Sequence, residues 1–112
     1  MVSGLQLARK TRDPALLWLA VRRPTYWINI TARHRFFAPL VAQLRRTLRR
    51  PASGPLVFAT YFHPDELLPN RSQLYNLESV RTNVDALVRA CHDADTAVEF
   101  ATAGQLPALW PV

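Results

Sequence analysis

Cysteine, glycine and long apolar runs are all scarce in this chain of 112 residues, and each scarcity removes a class of chemistry. Cys91 is the only cysteine, so no intrachain disulfide and no multi-cysteine zinc site can form; a lone thiol of this kind is expected to pack as a small buried hydrophobe. The only glycines are Gly4, Gly54 and Gly104, too few and too scattered for a phosphate-cradling loop. Neither a Gly-x-Ser-x-Gly elbow nor a Cys/His pairing offers an acyl-transfer nucleophile. The cleanest apolar run, Ala15 to Val21, stops at Arg22 and Arg23, well short of the ~20 residues a membrane-spanning helix needs. It follows Arg9, Lys10 and Arg12 as a signal-peptide core would, but Asp13 interrupts it and no small-residue cleavage site follows, which leaves the cytoplasm as the default location.

Acid is scarce in one half only. Residues 1–50 carry eleven Lys/Arg against the single acid Asp13, whereas residues 51–112 carry three against seven, so the net charge of +6 hides two electrostatically opposite halves. Only Lys10 among the fourteen basic residues is lysine. Arginine suits phosphate and carboxylate recognition, and a GC-rich genome produces the same bias. The size and the 49% hydrophobic content fit one domain or a piece of one, with residues 1–50 as a basic helical and strand segment and residues 56–106 as a βαβ segment.

Asp13-Pro14 has the form of an N-cap followed by proline at the first helical position, and predicts a short, largely buried helix to Arg23. Pro24 ends it, and Tyr26 to Ile30 has strand composition. Thr31 is placed to cap the next helix, in which Phe37, Leu40, Val41, Leu44 and Leu48 form one apolar stripe backed by arginines. Pro39 predicts that the regular part begins near Ala38 or kinks there. Leu56 to Phe62 reads as a strand covered on both faces, as in parallel sheets. Asn76 opens a helix whose predicted buried stripe is Leu77, Val80, Val84, Leu87, Val88 and Cys91. Ala97 to Phe100 reads as a further strand, and Thr102 with Gln105 as the capping box of a brief last helix. The alternation predicts an α/β fold of about three parallel strands with three to four helices.

His63 would then stand at the C-terminal end of a buried strand, where functional side chains of α/β proteins gather. Imidazole titrates near neutrality and can protonate a leaving group, with Asp65 or Glu66 to orient it; a histidine so placed can equally do no more than bond a loop carbonyl.

The segment Leu56-Val57-Phe58-Ala59-Thr60-Tyr61-Phe62-His63-Pro64-Asp65-Glu66-Leu67, the helix from Asn76 to Ala90 and the closing Val98-Glu99-Phe100-Ala101-Thr102-Ala103 together resemble the C-terminal part of a polysaccharide deacetylase-like (NodB-homology) protein. The resemblance implies a fragment of a distorted (β/α) barrel, carbohydrate N- or O-deacetylation assisted by zinc or another divalent metal, His63 as general acid, and Asp65 and Glu66 as its neighbours. The family's metal ligands come from an Asp-Asp pair and a His-x-x-x-His motif. This sequence has neither, since His34, His63 and His92 lie 29 residues apart. The expectation is therefore no cofactor in this chain and no deacetylation by it alone. On this reading the chain is a remnant or late-starting frame of a longer barrel, some of its first 25 residues are foreign to the fold, and it acts on acetylated carbohydrate only when completed by a missing N-terminal portion. Exposed sheet edges of such a fragment predict self-association.

A second reading comes from a different class. Arg45, Arg46, Arg49 and Arg50, on a helix spanning 38–50, form a candidate anion-binding surface for nucleic acid or an acidic partner, against the plainer possibility of a solvated helix face. Trp18, Trp27 and Trp110 are expected in the core, and His92 with Asp93 and Asp95 in a polar turn. The triplets Asn29-Ile30-Thr31 and Asn70-Arg71-Ser72 have the form of glycosylation sequons.

Overall fold

The computed structural model describes residues 2–23, 27–50, 54–60, 64 and 77–109. Ser3 and Gln6 build a reciprocal capping box in which Gln6 N–H donates to Ser3 Oγ and Ser3 N–H to Gln6 Oε1, both at 3.1 Å. This opens helix α1 (Gly4–Thr11), which ends at Arg12 in the left-handed region with φ 53°. The next residue, Asp13, caps helix α2 (Pro14–Arg22), its Oδ1 accepting from Ala15 N–H at 2.8 Å and Leu16 N–H at 3.3 Å. The turn makes α1 and α2 an αα-hairpin with Leu7, Ala8, Leu16 and Leu19 shut inside. Some of the first 25 residues were expected to be foreign to the fold; within that stretch Leu7, Ala8, Leu16, Leu19 and Ala20 belong to its core.

The two-residue strands β1 (Val2–Ser3) and β2 (Trp27–Ile28) pair antiparallel, with Val2 opposite Ile28 and Ser3 opposite Trp27. This is the only sheet among the described residues. Asn29 to Ala32 then turn tightly, with Ala32 N–H bonded to Asn29 O at 3.1 Å and Thr31 N–H to Asn29 Oδ1 at 3.0 Å. The Thr31 hydroxyl also bonds Asn29 Oδ1. It does not cap the following helix, whose first turn hangs from the Arg33 carbonyl. Asn29 is 5% exposed with its amide oxygen engaged, so the first sequon is closed to modification in the folded chain.

Helix α3 (His34–Leu48) runs through Pro39 without a break. Proline costs it the bond to the Arg35 carbonyl. Helix α4 (Leu77–Asp93) packs along α3, and after the turn at Ala94 and Asp95 the chain ends in a 3-10 turn (Ala103–Gln105) and helix α5 (Leu106–Leu109). Phe37, Val41 and Leu44 of α3 join Leu7, Leu16, Leu19, Ile28, Ile30 and Ala90 in one core.

The α/β prediction is corrected here: the chain is dominantly helical, with no parallel strand and no piece of a barrel among the described residues. Leu56 to Thr60 and Ala97 to Phe100, both expected as strands, join no ladder and are exposed, with Leu56 at 56% and Phe100 at 75%. Their β-branched and aromatic content does not by itself make a strand, because a strand needs a paired neighbour and neither stretch is part of the β1–β2 sheet. Residues 54–60 still touch the body through Phe58 and Thr60. The Phe58 ring meets Phe37 edge-on at 6.4 Å, and Thr60 Oγ1 accepts from Ile30 N–H at 3.1 Å. With the barrel goes the frame in which hydrolase and deacetylase chemistry was expected.

Candidate anion-binding site

The arginines of the site are positioned by α3. Its apolar stripe faces the hairpin and α4, so the residues on its other side, Arg35, Ala38, Ala42, Arg45, Arg46 and Arg49, are turned outward at helical spacing. Two surface cavities flank this ridge. One, of about 250 Å³, lies between α3 and α4 and is lined by His34, Ala38, Val41, Ala42, Arg45, Ala86 and Arg89. The other, of about 450 Å³, lies between α3 and the α1–α2 turn and is lined by Thr11, Arg12, Asp13, Pro14, Arg35, Ala38, Pro39, Ala42 and Arg46. Ala38 and Ala42 line both, so the cavities adjoin across a floor of small side chains walled by cations.

The charges on the two sides are not equivalent. In the α3–α4 cavity Arg45 Nη1 donates to Asp93 Oδ2 at 2.8 Å. That hydrogen bond, helped by the charges of Arg45, His92 and Arg89 and outweighing desolvation, holds the Asp93 carboxyl below the usual carboxylate range. A depressed carboxylate pKa stabilises the fold above the ordinary Asp value, and that contribution is lost as pH falls through the lowered one. Both partners are well exposed, at 37% and 52%, so solvent screens the pair and its main consequence is to partly neutralise Arg45. In the second cavity the one acid, Asp13, has its carboxylate on the N-terminal amides of α2, while Arg12, Arg35 and Arg46 remain exposed. Arg35 is oriented by its neighbour, its Cζ lying 5.1 Å from the centroid of the Phe36 ring.

Arg12 occupies a left-handed backbone position that ends α1, where Gly or Asn is the usual residue because a Cβ is disfavoured there. An arginine is held in this conformation where its side chain lines the basic cavity.

His34 is oriented from behind. Asn83 of α4 is fully buried, and its Nδ2 donates to Ile30 O at 2.9 Å and Ala32 O at 2.7 Å. Both amide protons are thereby used, so its Oδ1, 3.0 Å from His34 Nδ1, accepts and His34 Nδ1 carries the proton. That leaves His34 Nε2 as the nitrogen available to the α3–α4 cavity.

Of the residues expected from sequence to act, Arg46 lines a cavity, Arg45 is tied to Asp93, and Arg49 and Arg50 are exposed beyond the end of α3. His63, Asp65 and Glu66 lie outside the described residues. Asp93 and Asp95 separate, the first facing Arg45 and the second bonding His92 O through its amide at 3.0 Å; among the described residues no three of His, Cys, Asp and Glu converge as metal ligands. Sequence reasoning missed Arg12 and Arg89, which come from other elements. The Asp13-Pro14 start of α2 was the one available signal near Arg12, since it forces the preceding helix to end before it. Comparison with protein-family models, curated proteins and solved structures finds no match to this chain.

Proposed function

We propose that this chain is a small helical module that binds the phosphate backbone of nucleic acid across the face of α3. One observation carries the reading: two adjoining cavities share an alanine floor and are walled by Arg12, Arg35 and Arg46 on one side and Arg89 and His34 on the other. Alanine lets a strand lie close to the helix, and guanidinium groups on both walls meet phosphate oxygens in forks. The acids of this face, Asp13 and Asp93, are each engaged by donors of the chain, which limits their repulsion of a phosphate. No helix is long and apolar enough to cross a membrane among the described residues. The deacetylase resemblance gains no support from the helical frame, and the histidine on which it turns lies outside the described residues.

Three to five such contacts predict a log–log salt slope of about −2 to −3.5 and a Kd on the order of 10⁻⁵ M near physiological salt. Fluorescence anisotropy of labelled oligonucleotides over a salt series measures both. Arg35→Glu/Arg46→Glu should weaken binding strongly. Asp93→Asn, which releases Arg45, should strengthen binding and steepen the slope by about 0.7. Binding that ignores salt and both variants would sink the proposal.

A further inference from the structure

The larger basic cavity does not end at the α1–α2 turn. Pro14, on its wall, is the first residue of α2, and the exposed face of that helix continues from it through Leu17, Trp18, Val21 and Arg22 at spacings of three and four. Trp18 therefore stands one helical turn, about 6 Å along the axis, from the cavity wall. It is 56% exposed although most tryptophans in so small a domain are packed inside, and Leu17 and Val21 beside it are 45% and 84% exposed. The Arg22 guanidinium lies 5.1 Å from the centroid of the Trp18 ring, covering part of it with a cation.

We infer that Trp18 is a stacking platform for an unpaired base, and that the nucleic acid this chain takes is single-stranded. The inference rests on the phosphate-binding reading of the α3 face and goes beyond it by naming the ligand class. A duplex keeps its bases stacked on one another and offers a side surface mostly phosphate and groove edges, whereas a single strand can lay its backbone in a cationic groove and turn a base onto an adjacent aromatic ring. Charge complementarity and ring exposure both favour this occupant. Arg12, Arg35 and Arg46 hold the backbone, Trp18 offers a face to the neighbouring base, and Arg22 adds a cation beside the stack. Recognition by stacking is tolerant of sequence, because every base has a π-face.

The test compares, on the full chain, fluorescein-labelled oligothymidylate of about 12 nucleotides, an abasic strand of the same length and charge, and a duplex. Anionic phosphatidylserine vesicles are run alongside. The expected result is binding of the single strand about tenfold tighter than of the abasic strand, a difference removed by Trp18→Ala and partly kept by Trp18→Phe, with abasic binding unchanged by either. Arg35→Glu/Arg46→Glu should weaken the single strand and the abasic strand alike. Because Trp18 is more exposed than buried, far-UV circular dichroism of both Trp18 variants should match the parent. Equal affinity for single and abasic strands, with no effect of Trp18→Ala, overturns the stacking inference and leaves the phosphate groove standing. Preference for the duplex overturns it as well, as does Trp18-dependent binding to vesicles without a preference for base-bearing strands. Failure to bind any of the three nucleic acids removes the groove reading itself.

Discussion

At the scale of single residues, arginine 12 separates stability from function most cleanly. Its left-handed backbone is a place where local energetics favour glycine, and its side chain lines the basic cavity. Arg12→Gly should therefore raise the thermal midpoint, by about 1 kcal/mol of stability, while lowering affinity for oligonucleotides. Calorimetry and anisotropy on the same sample check both signs, and a variant that loses stability would show the positive φ to be unstrained. Little of this was legible beforehand. The sequence shows Arg12 beside a helix-opening Asp-Pro pair, but whether a linker residue takes a left-handed conformation depends on how the two helices close on each other. Trp18 was misread for a related reason. Its apolar neighbours, Leu16, Leu17, Leu19 and Val21, suggested burial all round, yet in α2 only Leu16, Leu19 and Ala20 are buried. Four of the nine residues of α2 being exposed apolar or aromatic side chains cannot be told from burial by composition alone.

Between elements, the joint that matters is the docking of α4 on the turn at 29–32. The apolar stripe predicted for α4 ran through Val80, Val84, Leu87 and Cys91, and these are only half-buried, while Leu77 and Val88 are exposed. The fully covered line is instead Ser79, Asn83 and Ala90, about a quarter-turn away. Small side chains let α3 and α4 approach, and Asn83 closes the joint by satisfying two backbone carbonyls that the turn would otherwise bury without donors. Asn83→Ala should cost about 2–4 kcal/mol, read as the shift of a urea midpoint at unchanged slope, because both carbonyls lose their partner at a site without solvent. It should also free the His34 ring. A loss below about 0.5 kcal/mol would mean that water replaces the amide. Elsewhere the elements were more legible. The Asp13-Pro14 start and the α3 stripe from Phe37 to Leu48 are local signals that packing did not overturn, and Asn76, expected to cap α4, lies outside the described residues. Pro39 was expected to delay or kink α3; the helix starts ahead of it, at His34, and continues through it. Its ring is buried against the core, and the carbonyl it leaves unpaired belongs to the exposed Arg35.

Across the whole molecule, stability is concentrated in the four helices from Gly4 to Asp93. Every residue from Thr96 to Leu109 except Leu106 is exposed, and α5 buries nothing among the described residues. The half-buried Cys91 and the buried Ala90 mark the last point at which the chain contributes to the core. Limited proteolysis should therefore cut first between Thr96 and Gln105, and a chain ending at Asp95 should keep its helical circular dichroism and its midpoint within about 2–4 °C. A collapse of the midpoint on truncation would show that the tail covers apolar surface in solution. The exposed Val98 and Phe100 explain why this segment reads as a strand, since strand composition is a property of side chains and a strand needs a neighbour. The same holds for Leu56 to Thr60, from which the parallel sheet, the barrel and the position of His63 were all inferred. What the sequence determined by itself is local or summed: the helix starts written in capping residues, the apolar spacing of α3, the absence of a membrane-length run and the positive first half. The tertiary structure alone decided which half-apolar segments found partners, which face of α4 was covered, and which arginines from three separate elements came to share one alanine floor. Those outcomes depend on contacts between residues far apart in the chain, and neither composition nor periodicity encodes them.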